Sequence, residues 1–349
     1  MTIDAISLAV FQSLFAAVAQ EMGVTLQRAS FSANIKERLD FSCAVFDAAG
    51  RMIAQAAHIP VHLGSMPASV AAALTAIDAW QPGDVAVLND PYHGGTHLPD
   101  VTMVSPVFVD GTARFMVASR AHHADVGGMS PGSLPLSTEL YQEGLIVPPV
   151  KLVEGGRQNQ ALLDLIAANS RTPAERLGDV AAQMAAHRIG EERLAALIET
   201  HGLAQIEAHA EALMDYARRM VEAVIDTIPP GSYAFEDALE GSGADGERIP
   251  IRCRIDVAGP RMTIDFDGSA PQVAGSLNAV PAVARSAAWY AVRLLARDQI
   301  PVNDGCFRPV TVLVPPHSVL NPDPPAAVSA GNVETSQRIT DVLLQALGE

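Results

Sequence analysis

Apolar and polar positions recur along this chain with two different periods. Between residues 4 and 23, Ile6, Val10, Leu14 and Val18 repeat at helical spacing up to Gly23, which predicts an amphipathic helix. FSCAVF (41–46), DAAG and RMIAQ (51–55) then predict a strand, a turn and a return strand. The next stretch is extended where it holds His58 and His62, and passes into a helix over 67–79 with Pro67 in its first turn. DVAVLND reads as a short buried strand and PYHGGTHLPD as an irregular loop. VTMVSPVFV and ARFMVASRAHH read as two strands turning at Asp110-Gly111. Residues 129–149, rich in Gly, Pro and Ser, predict an ordered loop over a cleft.

Helical patterns dominate the middle of the chain, at 159–168, at 173–187 behind Thr172-Pro173, and at 202–227. Their alternating charge suggests a bundle or arm. After Gly231 the period changes to two, and 231–325 reads as a second β-rich unit with a helix at 279–297. Residues 334–349 begin a further helix in which no Gly or Asn cap is read, so the fold is expected to continue elsewhere. The class is α+β: a mixed or antiparallel β-rich core carrying a metal site (1–157), a helical arm (158–230) and a second β-rich unit with helices, incomplete at its C-terminus (231–349).

Composition narrows the function classes. Apolar residues make up 49% of 349, ample for a core, while charged residues are only 18%, which suggests surface buried against partners. A net charge of −16 argues against nucleic acid and anionic membranes. The N-terminus opens on Asp4 with no basic residue, unlike a signal peptide, and no window is read as a membrane span. Cys43, Cys253 and Cys306 are scattered, as suits buried thiols in a reducing compartment, so a cytoplasmic protein is expected.

The chemistry gathers between Asn89 and Asp125, which holds His93, His97, His122 and His123 with Asp90, Asp100, Asp110 and Asp125. His97-Leu98-Pro99-Asp100 places an imidazole and a carboxylate three apart on a stiffened link. The hairpin would bring His122 or His123 beside them, and a distant carboxylate would complete a divalent metal site. Such a donor set suits Zn²⁺, Mn²⁺ or Fe²⁺. A hydrogen-bonded polar cluster at strand ends is the competing reading. GxxxxGK[ST] is absent, so no nucleotide cradle is expected.

ERLDFSCAVFD (37–47), HIPVHLGSMP (58–67), GDVAVLNDPYHGGTHLPDV (83–101), ASRAHHADVGG (118–128) and QEGLIVPPVKL (142–152) resemble the hydantoinase B/oxoprolinase family. Weaker likeness runs through DFDGSAP (265–271), IPVNDGCFRPV (300–310) and GNVETSQRI (331–339). The resemblance implies a metal held by Asp40, His97, Asp100 and His122. It leaves His123, Asp125 and Glu143 as acid–base candidates, with Tyr92 and His93 beside His58 and His62 as pocket wall. It also implies an A-type ATPase partner that binds ATP and phosphorylates a small cyclic amide, which this chain then hydrolyses through a metal-activated water. An acetone-type carboxylase α subunit and an assembly subunit with a structural metal are the alternatives.

Overall fold

The computed structural model describes residues 3–57, 59–132, 134–241, 247–296 and 300–348. The first half runs α1 (Ala5–Ala29), α2 (Ala33–Lys36), β1 (Phe41–Asp47), β2 (Met52–Ala57), α3 (His62–Ala76), β3 (Val85–Leu88), β4 (Asp100–Val109), β5 (Thr112–His122), β6 (Val150–Glu154) and β7 (Arg157–Gln158). The second half runs α4 (Gln160–Ala168), α5 (Pro173–His201), α6 (Leu203–Ile225), β8 (Gly231–Glu240), β9 (Arg248–Ala258), β10 (Arg261–Asp265), α7 (Pro281–Leu295), β11 (Val310–Leu313) and α8 (Glu334–Leu347).

Seven strands form one antiparallel sheet in the order β2-β1-β5-β4-β3-β6-β7, and four form a second in the order β11-β10-β9-β8, with β10 and β11 parallel. The fold is α+β, as the two periods predict. β1 is apolar almost throughout because both of its faces are covered. Phe41, Cys43 and Val45 pack with α1 and α5 side chains such as Phe15, Met22 and Ala186, while Ala44 and Phe46 enter the core that also takes α3, α7, α8 and the smaller sheet. On β5, Met116 and Ala118 follow the second face, and Phe115, Val117 and Ala121 the first. That alternation later separates His122 from His123.

Several boundaries differ from expectation. α1 passes through Gly23, which is buried, and presents Phe11, Phe15, Val18, Met22 and Leu26 to the core; Ile6 and Val10 are exposed. Against the expectation of no span, α1 is long and apolar enough to cross a membrane by length and composition. Its buried face is that of a helix packed on α5, β1 and β2. α3 begins at His62 rather than 67, because His62, Leu63, Met66 and Val70 already form its buried face, and Pro67 lies inside it. α5 continues from 187 to His201, since Gly190 admits the close approach of Met22 and Val117. Gly348, at φ 81°, closes α8 as a left-handed cap, where no cap was expected.

The helices expected as an arm have a buried side: α5 lies over β4, β5 and α1, and α6 packs on α1 and the segment 304–307. α7 packs on α3, where the Gly64 backbone N–H donates to Ser286 Oγ at 2.9 Å, and α8 packs on α7, β8 and β9. The two sheets thereby share one apolar core, and the site lies beside it.

Candidate metal centre

Asp100 opens β4, and His122 stands directly opposite it at the end of β5. Both point from the face that carries Thr102, Val104, Ala118 and Arg120, toward α3 and the second unit. Asp100 Oδ1 lies 3.2 Å from His122 Nδ1, and Oδ2 lies 3.2 Å from His97 Nδ1. His62 Nε2 approaches the same Oδ2 at 3.6 Å. Asp40 comes from the turn before β1; its backbone carbonyl accepts from the His122 N–H at 2.9 Å, and its Oδ2 lies 3.8 Å from His122 Nδ1. Asp40, His97, Asp100 and His122 are thus brought together. Their donor atoms fall into two overlapping groups, His97–Asp100–His122 and Asp40–His62–Asp100, each within 4.8 Å.

The hydrogen bonding around these groups is incomplete in an informative way. Thr96 Oγ1 donates to Asp100 Oδ2 at 2.7 Å, and Ser42 Oγ pairs with His62 Nδ1 at 2.9 Å. His62 Nε2 and His97 Nδ1, both buried, have no hydrogen-bond partner among the described residues, although each faces a carboxylate oxygen. Nitrogens left unsatisfied around a buried carboxylate are costly unless a cation occupies the space they share. The residues therefore fit a divalent ion, with hard carboxylate and imidazole donors and no thiolate among them.

Burial would push the Asp100 carboxyl up, yet the imidazoles of His97, His122 and His62 hold it well below the usual carboxylate range. Burial likewise opposes charge on His122, but the hydrogen bond and charge of Asp100 raise it. Asp40 is raised, first by desolvation and then by Asp100. Beneath the cluster, Arg120 is fully buried and pushed down to about 10 by desolvation. It donates to Thr102 Oγ1 at 2.9 Å, to Ser69 Oγ at 2.5 Å and to Ser65 Oγ.

A cavity of about 430 Å³ opens onto this floor. Its far wall comes from α7 and α8, with Ser286, Tyr290, Ser336 and Gln337, and from Asn332, whose Nδ2 lies 3.5 Å from His97 Nε2. Sequence reasoning took GNVETSQRI only as likeness and missed this wall, since nothing local ties position 332 to position 97. It also placed His62 in extended chain, as a pocket residue, rather than in the first turn of α3 against Asp100.

The remaining candidates lie elsewhere. His123 points to the opposite face of β5, where Nε2 meets Gln183 Oε1 at 2.9 Å; burial pushes it down to about 4. Asp125 accepts from the Arg171 backbone and guanidinium at 2.6 and 2.9 Å. Glu143 Oε1 accepts from Ser137 Oγ, Val328 N and Ser329 N at 2.7, 2.9 and 3.0 Å, bracing the segment that carries Asn332. These three do not line the cavity, so acid–base work there falls outside their reach. Tyr92 donates to Ala326 O at 2.8 Å, and the exposed His93 pairs with Asp90 at 2.7 Å; neither lines the cavity. His58 lies outside the described residues.

Two motif-like spacings occur in the sequence. Gly128-Met129-Ser130-Pro131-Gly132 spells GxSxG in an irregular loop, without the strand–turn–helix a nucleophile elbow needs. Gly241 to Gly246 spells GxGxxG in the sequence, but residues 242–246 lie outside the described residues.

The family description "Hydantoinase B/oxoprolinase" matches residues 4–349. The chain belongs to the hydantoinase B/oxoprolinase family. It is 40% identical to the 5-oxoprolinase of Saccharomyces cerevisiae over 99% of its own length and 28% of that protein's. It is 32% identical to the B component of a putative D-/L-hydantoinase from Pseudomonas sp., across 99% of this chain and 62% of the other. Among solved structures, the ATP-dependent caprolactamase of Pseudomonas jessenii superposes with a TM-score of 0.91 at 32% identity, over 99% of this chain and 61% of that one. Nucleotide-free acetone carboxylase superposes at 0.89 with 17% identity, over 99% and 48%, a likeness of fold alone. The chain thus spans from about a quarter to about three-fifths of these relatives' lengths.

Proposed function

We propose that this chain is the metal-dependent B-type part of an ATP-dependent cyclic amidase, hydrolysing a ring amide that an A-type ATPase partner has phosphorylated. The relatives named as a 5-oxoprolinase, a putative hydantoinase and a caprolactamase support a cyclic amide as substrate. The absence of GxxxxGK[ST] accords with ATP being handled by the partner. A partner that consumes ATP would place the reaction in the cytoplasm.

The observation that carries the reading is the pair of unpartnered imidazole nitrogens, His62 Nε2 and His97 Nδ1, facing Asp100 at the floor of an open cavity. A Zn²⁺, Mn²⁺ or Fe²⁺ held by His97, Asp100 and His122, with Asp40 and His62 at its edge, would supply Lewis acidity and lower the pKa of a water. The chain's own residues prepare that place. Thr96 fixes the Asp100 carboxylate. Ser42, paired with His62 Nδ1, holds the ring so that Nε2 is the nitrogen turned toward the ion. Arg120, packed beneath, offsets part of the buried negative charge. Ile59, Val61 and Tyr290 offer an apolar seat for a small ring, and Asn332 offers an amide beside His97.

The test is turnover of the chain with its A-type partner on hydantoin, 5-oxoproline and simple lactams, with metal analysis of the same preparation. Ring opening with ATP, independent of bicarbonate, by a metal-containing complex is the expected result. A complex free of divalent metal, or one that turns over only with bicarbonate and a ketone, would overturn it.

A further inference from the structure

We propose that Arg38 is the anion anchor of the cavity, its guanidinium binding the negatively charged group of the ligand, whether a ring carboxylate or a phosphoryl group. This rests on the cyclic-amide reading of the same site. Arg38 is the sole lysine or arginine among the described residues lining the cavity, where it stands with Asp40, Asp100 and Asp341. The chain carries 39 acidic and 23 basic residues, and several arginines are held by carboxylates. Arg51 holds Asp47, Arg171 holds Asp125, and Arg218 holds Asp215 and Glu222. The Arg38 side chain makes no hydrogen bond or ion pair with any described residue, although Asp40 is two residues away.

The local backbone is specialised as well. Leu39 is one of three non-glycine residues with positive φ among those described, at 57°. A leucine is rarely held there unless its surroundings impose it. Its side chain packs on the core formed by α1 and β1, and the turn leaves Arg38 and Asp40 lining the same cavity. Across the cavity, Val333, Ser336 and Gln337 bring the start of α8 to the wall. No side chain caps that helix end, and Glu334 in its first turn is exposed and does not line the cavity. An uncapped helix start adds a field of the same sign as the guanidinium. Arg38 itself offers the planar fork that fits two oxygens of a carboxylate or phosphate. A neutral lactam alone would have no use for such a cation.

The experiment is calorimetric titration of the purified chain and of Arg38→Met and Arg38→Lys with three probes: L-5-oxoproline, 2-pyrrolidinone (the same ring without its carboxylate) and inorganic phosphate. Removing the charge is expected to weaken at least one anion about tenfold or more, with 2-pyrrolidinone unchanged and partial recovery in Arg38→Lys. A loss confined to 5-oxoproline assigns the anchor to the ring carboxylate, and a loss confined to phosphate assigns it to the phosphoryl group. The proposal is overturned if neither anion binds the unaltered chain, if Arg38→Met leaves both affinities unchanged, or if 2-pyrrolidinone weakens as much as the anions. Metal analysis of the same samples reads the earlier proposal separately, because metal-free chain that still binds anions through Arg38 would sink only that one.

Discussion

Asp100 and His122 are direct cross-strand partners on β4 and β5, with Oδ1 3.2 Å from Nδ1. The hairpin thus sets an imidazole against a carboxylate by register alone, and every other group of the site is arranged around that pair. His97 reaches Asp100 through the short loop before β4 and His62 through the first turn of α3, while Asp40, from the turn before β1, approaches His122. Because Asp100 touches all three neighbouring imidazoles, its removal should empty the site. Asp100→Ala is expected to lose bound divalent metal and to lower turnover with the partner about a hundredfold or more. Elemental analysis beside a kinetic assay checks both.

Ser42 acts one step out. Its hydroxyl pairs with His62 Nδ1, which holds the ring so that Nε2 faces Asp100. Ser42→Ala should weaken metal affinity about ten- to a hundredfold while leaving the fold intact. Competition with a chelator measures this, and unchanged affinity would remove His62 from the proposed ligand set.

Asp125 provides a pH signature. Burial alone would raise its carboxyl, but the backbone N–H groups of Arg171 and Gly127 and the Arg171 charge outweigh that and lower it. A depressed folded pKa means stability that is present above the unfolded value, about 3.9, and is lost as pH falls below it. Asp125→Asn should therefore cost about 1–3 kcal/mol at pH 7, with a smaller gap to the unaltered chain at pH 3. Urea unfolding at the two pH values decides; an equal gap at both would count against the ionised clamp.

Glu191 has the opposite sign. Desolvation on α5 lifts its carboxyl to about 7, with Arg188 opposing and Glu192 assisting. Its contribution is fully favourable below the unfolded value and declines as pH rises through the folded one. Glu191→Gln should then stabilise the chain at pH 8, by on the order of 1–2 kcal/mol after allowance for partial exposure, and change little at pH 4. Melting curves across that range show the crossover or its absence.

Gly331 carries the backbone that positions Asn332. A Cβ at 331 would collide with the carbonyl of Asn278. Asn278 is itself buried and tied to Val273, Gly275 and Ala327, so it has little room to yield. Gly331→Ala is expected to cost about 1–3 kcal/mol and to raise KM as the Asn332 wall shifts. Unfolding and steady-state kinetics with the partner test the two effects.

Much of the site was legible because its central piece is local. A hairpin with a two-residue turn forces its outer ends together, so the closeness of HLPD to AHH followed from pattern alone. The choice between His122 and His123 did not, although the period-two rule contained it. Adjacent residues face opposite sides, and one needs the position of the α7–α8 layer to know which side holds the cavity. The starts of α3 and the ends of α1 and α5 were misplaced for a related reason. Gly23 and Pro67 read as punctuation in sequence, but Gly23 is buried within α1 and Pro67 sits inside a helix whose buried face begins earlier, while α5 runs on through Gly190, a close packing contact.

Period, turn chemistry and the spacing of histidine and aspartate were enough to specify an α+β fold and a cluster of hard donors at strand ends, since these are properties of neighbouring residues. Which imidazole turns inward, that His62 joins the carboxylate, that Glu143 braces a loop, and that Asn332 and Arg38 border the same cavity were decided only by packing. Contacts between positions hundreds of residues apart depend on how two sheets share one core, and no local pattern encodes that.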